Sequence, residues 1–183
     1  ADNVTFETLK EQDLLSAYES PELEGIPEIY IDKDHMYVGT KVITTGIVYN
    51  TELTENIPAG FKDLTNEAYK DDLIMPSPLY SGAAAYNLGV LTRTEGLGWD
   101  YYQTLKDNGV VVGKGNGSVQ NAVVAGEQAC GLLADYMAIR SKNDGAPVEF
   151  VYPAEGSPAV TEPIGIVKGT DSEDLAKAFV DFV

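Results

Sequence analysis

The chain has one cysteine, one histidine and one tryptophan in 183 residues, and only 12 lysines and arginines. A lone Cys130 excludes an internal disulfide framework and any cysteine-cluster metal site. Its setting, Ala129-Cys130-Gly131-Leu132-Leu133, reads as a buried strand in which the thiol is a small hydrophobe. His35, in Asp32-Lys33-Asp34-His35, cannot build a histidine metal site alone. Against the 12 basic residues stand 29 acidic ones, a formal net charge of −17. Such a surface repels phosphate backbones and anionic bilayers, so neither nucleic acid nor a membrane surface is expected as a partner. No apolar run approaches membrane-spanning length, and no secretory leader pattern opens the chain. Both ends read as cut: a helical pattern is already running at Val4, and Val183 follows Phe182 without a cap. P-loop, GxGxxG-after-strand and Ser-His-Asp patterns are all missing, so catalysis has little to stand on and no cofactor is expected.

What is present is a globular composition, 44% hydrophobic with 18 glycines, enough to bury one good core. Periodicity predicts an amphipathic helix over 4–18 with Phe6, Leu9, Leu14 and Leu15 on one side, then strands over 36–38 and 41–49. From Leu73 strands and helices alternate. Strands are predicted at 73–75, 110–112, 130–133, 148–152 and 164–167, and helices at 81–94, 98–107, 119–128, 136–142 and 171–183. This alternation means an α/β sheet covered on its faces. Pro153-Ala154-Glu155-Gly156-Ser157-Pro158 reads as a linker.

Two strand-to-helix turns carry the chemistry. Leu73-Ile74-Met75 leads through a proline-rich turn to Ser81-Gly82-Ala83, and Val110-Val111-Val112 leads to Gly113-Lys114-Gly115-Asn116-Gly117-Ser118. Each offers a hydroxyl and the unpaired amides of a helix start, a natural anion site. Gly82, Gly115 and Gly117 let a ligand approach the backbone closely. Either serine alone also serves as an ordinary helix cap. Lys114, beside glycine in a turn, reads as solvated, and Tyr101-Tyr102, at helical spacing, as core.

The order of segments resembles a known family. Val42 to Thr51 is followed by Pro58 to Leu64, Ser81-Gly82-Ala83-Ala84 and Gly98-Trp99-Asp100-Tyr101. Then come Val124-Ala125-Gly126-Glu127, Asp135-Tyr136, Gly145-Ala146-Pro147-Val148 and Val151-Tyr152-Pro153-Ala154-Glu155-Gly156. Ile164 to Gly169 and Ala176 to Phe182 complete the set. It is similar to the extracytoplasmic solute-binding proteins of ABC importers, in the cluster that includes ferric-ion, phosphonate and sugar-phosphate binders. The resemblance implies an α/β, type 2 periplasmic-binding-protein-like fold, one complete lobe plus part of the second, joined by crossing hinge strands. Residues 1–42 and 163–183 would belong to the first lobe, 51–150 to the second, with 43–50 and 151–162 as crossings.

It further implies a non-enzymatic protein, in the periplasm or on the cell surface as a lipoprotein. Such a protein delivers a small anionic solute from an interlobe cleft to a membrane permease, without itself inserting in the membrane. Expected ligand residues are Ser81, Gly82, Ala83, Asn116, Gly117, Ser118, Asp135, Tyr136 and, in the crossing strand, Thr45. A phosphonate such as 2-aminoethylphosphonate, or a phosphate ester, suits the two turns, with Asp135 reaching a ligand ammonium. Asp135 equally suits an N-cap, and Tyr136 interlobe packing. The alternative is Fe(III): the iron branch uses adjacent tyrosines where this chain reads Ala134-Asp135-Tyr136-Met137, so Tyr136 would be the metal ligand. A weaker alternative is an α/β phosphate-ester hydrolase using Asp135.

Overall fold

A computed structural model describes residues 2–183, which fall into two compact units, 2–42 with 160–183 and 43–159. In chain order the elements are α1 (Asn3–Glu11), β1 (Leu15–Ser16), β2 (Val38–Asn50), β3 (Leu73–Pro76), α2 (Gly82–Leu91) and α3 (Gly98–Asp107). They continue with β4 (Val111–Gly113), α4 (Asn116–Val124), β5 (Cys130–Ala134), α5 (Asp135–Asn143), β6 (Val148–Val151), β7 (Ala159–Ile164), β8 (Ile166–Val167) and α6 (Glu173–Phe182). Among the described residues no helix is long and apolar enough to cross a membrane.

The 43–159 unit is built on the sheet order β4-β3-β5-β2-β6. Strand β3 is parallel to both β4 and β5, while β2 is antiparallel to β5 and β6. Strand β5 and residues 45–50 of β2 are buried on both faces, which fits the short apolar runs Leu132-Leu133 and Ile47-Val48-Tyr49. Phe61, Leu64, Leu91, Tyr101, Leu105 and Leu132 pack into one core cluster, and Val48, Val119, Val123 and Leu133 into a second. Gly46 has a packing reason in this central strand. A Cβ there would lie 2.5 Å from both the Phe150 ring and the Val151 carbonyl. Cys130 is fully buried, and burial, followed by the charge of Asp72, pushes its thiol up to about 12. Native protein is therefore expected to leave a disulfide thiol reagent such as DTNB unreacted at pH 8, while unfolding in guanidinium releases one thiol. Fast native labelling would show that the site opens.

The other unit corrects the first prediction. The helix expected over 4–18 ends at Glu11. Asp13 turns the chain through φ 56°, and Leu15, 3% exposed, pairs as a strand with Val167. The strand expected at 164–167 is two strands: β7 ends at Ile164 and carries Pro163, and β8 covers Ile166–Val167. Thr40 Oγ1 donates to the Glu162 carbonyl at 2.9 Å, and Lys41 pairs with Glu162 at 2.8 Å. The Asp181 carboxylate accepts from Ser20 Oγ (2.6 Å) and Tyr18 OH (2.9 Å).

Lys10 Nζ lies 2.5 Å from Asp32, which also accepts from the amides of Met36 (3.1 Å) and Asp34 (3.3 Å). Burial alone raises the Asp32 pKa, but Lys10 and the two amides outweigh it, and the carboxyl titrates below its ordinary 3.8. A depressed folded pKa gives stability that is complete above the unfolded value and is lost as pH falls through the folded one. Asp32→Asn is therefore expected to lower the melting temperature at pH 7 and to change it little well below pH 3.8. An equal loss at both pH values would assign Asp32 a packing role only.

Candidate functional site

The strand registers bring the predicted residues to one edge of the 43–159 unit. Pro76 pairs with Gly113 at the ends of parallel β3 and β4, Ile74 pairs with Gly131 as β5 runs alongside, and Thr45 on antiparallel β2 pairs with Ala134. The carboxyl ends of β3, β4 and β5 thus lie together with the Thr44-Thr45 part of β2. From that edge α2, α4 and α5 begin. In open α/β sheets this is where ligands bind.

The three helix starts are not equivalent. Ser81 caps α2, its Oγ accepting from the Ala84 amide at 3.2 Å. The Gly82 and Ala83 amides precede Ala84 in a first turn that a helix leaves without internal acceptors. Helix α4 begins at Asn116, three residues earlier than periodicity predicts, so Asn116, Gly117 and Ser118 form its first turn and do not precede it. Its cap is Gly115, which contributes no side-chain bond. A Cβ added at Gly115 or Gly117 would meet nothing within 4 Å, so open space lies in front of this turn. Ser118 packs against the strand end instead, its Cβ 2.9 Å from where one on Gly113 would sit. Lys114 Nζ stands 5.9 Å from the Tyr80 ring centroid.

Helix α5 is already answered by its own sequence. Ala134, not Asp135, is the cap residue. Asp135 is the first residue of the helix, and its Oδ1 accepts from the Tyr136 amide at 2.7 Å. Thr44 Oγ1 donates to Asp135 Oδ2 at 2.5 Å, and Tyr152 OH stands 3.5 Å from the same oxygen. Burial first, and then the Asp135 charge, raise the Tyr152 phenol pKa. This start presents a carboxylate, where α2 and α4 present N–H groups.

At this candidate site Thr44 stands where Thr45 was expected, and Tyr152 is a neighbour of Asp135 that sequence reasoning missed. Strand alternation says that Thr44 and Thr45 face opposite ways. Burial decides which, and Thr45 is 5% exposed, its amide donating to the Pro158 carbonyl at 3.0 Å. Tyr136 is half exposed at the edge. Tyr101, 3% exposed, belongs to the core, and Tyr102 packs against it. Among the described residues no three His, Cys, Asp or Glu side chains are grouped to hold a metal.

Residues 1–183 match the model of a family described as bacterial extracellular solute-binding protein. A probable ABC transporter periplasmic-binding protein of Sinorhizobium fredii is 25% identical over 186 residues, covering 95% of this chain and 51% of that protein. The solved periplasmic binding protein AfuA of Actinobacillus pleuropneumoniae, with fructose 6-phosphate bound, is 28% identical with a TM-score of 0.85. That match covers 95% of this chain and 58% of AfuA. Iron-bound HitA of Pseudomonas aeruginosa, at 19% identity and a TM-score of 0.85 over 99% of this chain and 61% of its own, shares the fold. The chain spans about half the length of the curated relatives it matches.

Proposed function

Because the chain belongs to the bacterial extracellular solute-binding proteins and has their α/β fold, we propose that it is the solute-capturing component of an ABC importer, with a small phosphonate or phosphate ester as its ligand. The observation that carries this reading is the pair of helix starts, α2 and α4, opening from one sheet edge with open space before Gly115 and Gly117. A tetrahedral dianion accepts several hydrogen bonds, and oriented amides supply them without requiring a basic surface that a chain of net charge −17 lacks. The Ser81 cap fixes the α2 turn, and Ser118 seats α4 on β4. Asp135, held by Thr44 and the Tyr136 amide, presents negative charge at the same edge. It therefore selects ligands with an ammonium or hydroxyl group beside the anion, as in 2-aminoethylphosphonate or a sugar phosphate. AfuA's fructose 6-phosphate belongs to the second class.

The proposed activity is binding, without turnover, followed by delivery to a membrane permease. The working compartment is extracytoplasmic, periplasm or cell surface. Native mass spectrometry of protein purified without refolding, with phosphorus and iron analysis, tests the reading. A small phosphorus-containing adduct released on denaturation supports it, whereas hydrolysis of such an ester would return the Asp135 hydrolase. One observation favours a second reading. Tyr152 lies within reach of Asp135 and Tyr136 adjoins it, giving two phenols and a carboxylate at one helix start, a donor set suited to Fe(III) as cargo. Stoichiometric iron with a visible phenolate band in that experiment would replace the phosphonate reading.

A further inference from the structure

Asp135 is held by uncharged donors of unequal strength. Thr44 Oγ1 and the Tyr136 amide donate to it at 2.5 and 2.7 Å, while Tyr152 OH stands farther off at 3.5 Å. A carboxylate accepts at about four positions, so these donors leave one for a ligand. The Tyr152 oxygen, next to that carboxylate, keeps its own lone pairs for a second donor.

Packing places the phenol. Val48 pairs with Phe150 in the antiparallel register, and alternation carried one residue beyond β6 puts Thr44, Gly46, Phe150 and Tyr152 on one face. Gly46 makes room there, because a Cβ on it would meet the Phe150 ring at 2.5 Å. Phe150 packs in turn against the cluster of Val48, Val119 and Leu133. The Tyr152 ring stands edge-on to Phe150, centroids 4.9 Å apart and planes at 79°. It is thus supported from the core side and still 57% exposed at the sheet edge. With its pKa raised by burial and by Asp135, the phenol keeps its proton at neutral pH.

We propose that Tyr152 is a specificity-determining residue which, with Asp135, recognises the ammonium group of an aminoalkyl phosphonate or phosphate ester in preference to a hydroxyl. This rests on the function proposed above and narrows its two ligand classes to one. Donor count decides between them. Two acceptors stand together, the unfilled carboxylate position and the phenol oxygen. A ligand hydroxyl brings one proton and satisfies one of them. An ammonium brings three, satisfies both, and carries the charge that answers Asp135.

Three phosphonates of one skeleton test this: 2-aminoethyl-, 2-hydroxyethyl- and propylphosphonate, titrated calorimetrically into the wild type and Tyr152→Phe. The wild type is expected to bind the amino compound at least about tenfold more tightly than the hydroxy compound. Tyr152→Phe keeps the ring and its contact with Phe150 and loses only the oxygen. It is expected to narrow that ratio by about fivefold or more. A wild type that binds the amino and hydroxy compounds equally overturns the inference and leaves the phosphonate reading standing. A ratio unchanged in Tyr152→Phe, whether the affinities hold or fall together, makes Tyr152 structural and overturns it too. Failure of the wild type to bind any of the three removes the phosphonate reading and this inference with it.

Discussion

On the proposed function, Ser81→Glu is expected to weaken binding of a phosphonate or phosphate ester by at least a hundredfold while leaving the fold in place. Ser81 Oγ accepts from the Ala84 amide, and losing such a cap costs about 1 kcal/mol. A carboxylate at a helix start recovers about 0.3–1 kcal/mol through the helix dipole, so α2 persists. The ligand meets the opposite balance. The introduced charge occupies the amides a dianion would use and repels it. Two unit charges 4 Å apart at an effective dielectric of 20 repel by about 4 kcal/mol, and each 1.4 kcal/mol is a factor of ten. Ser81→Ala, which removes the hydroxyl without adding charge, should weaken binding far less. Titration calorimetry on both variants beside the wild type measures the difference. Equal affinity for all three would remove α2 from the ligand contact.

The largest stability effect belongs to Phe61→Ala. Phe61 is fully buried in the cluster with Leu64, Tyr69, Leu91, Leu105 and Leu132. Its own amide donates to Glu155 Oε2 at 3.0 Å, and the Lys62 amide donates to Oε1 of the same carboxylate at 2.9 Å. Truncating a buried phenylalanine costs about 3–5 kcal/mol, a large share of the roughly 5–15 kcal/mol that holds a domain together. Because Glu155 fixes the local backbone, the walls cannot collapse freely into the void, which points to the upper part of that range. The expected result is a melting temperature lower by roughly 10 °C or more, with Phe61→Leu recovering part of the loss. A loss near 1 kcal/mol in denaturant titration would mean that the cluster repacks.

The elements easiest to read were those whose patterns close locally. Helix α3 begins and ends where its periodicity predicts, and α5 and β5 are misplaced by a residue or so at either end. The failures came where distant residues decide. Leu14 and Leu15 extend the helical period of α1, yet Leu15 is a strand residue because Val167 pairs with it across 152 positions of sequence. Gly115-Asn116-Gly117-Ser118 has the composition of a turn, and becomes the cap and first turn of α4 once Gly113 and Ser118 pack together. The candidate edge follows the same division. Turns that end parallel strands and start helices are written locally, so Ser81, Asn116 and Asp135 could be named. That Thr44 and Tyr152 meet Asp135 depends on the strand pairing of β2 and the fold of residue 152 back toward α5.

The position of β2 also sets a timetable. It is the first strand of its sheet to be synthesised, and its neighbours β5 and β6 come much later. Asn50 Nδ2 donates to the Val123 carbonyl 73 positions on, and the Phe61 amide waits for Glu155, 94 positions on. At about 5–20 residues per second of synthesis, Val42-Ile43-Thr44-Thr45-Gly46-Ile47-Val48-Tyr49 spends several seconds as an apolar, β-prone stretch with both edges unpaired. A chain halted at residue 128 should therefore show β2 open to protease, and protection should arrive only once residues beyond 151 have emerged. Through that interval the nascent chain carries an unpaired strand edge, the feature that invites pairing with another chain.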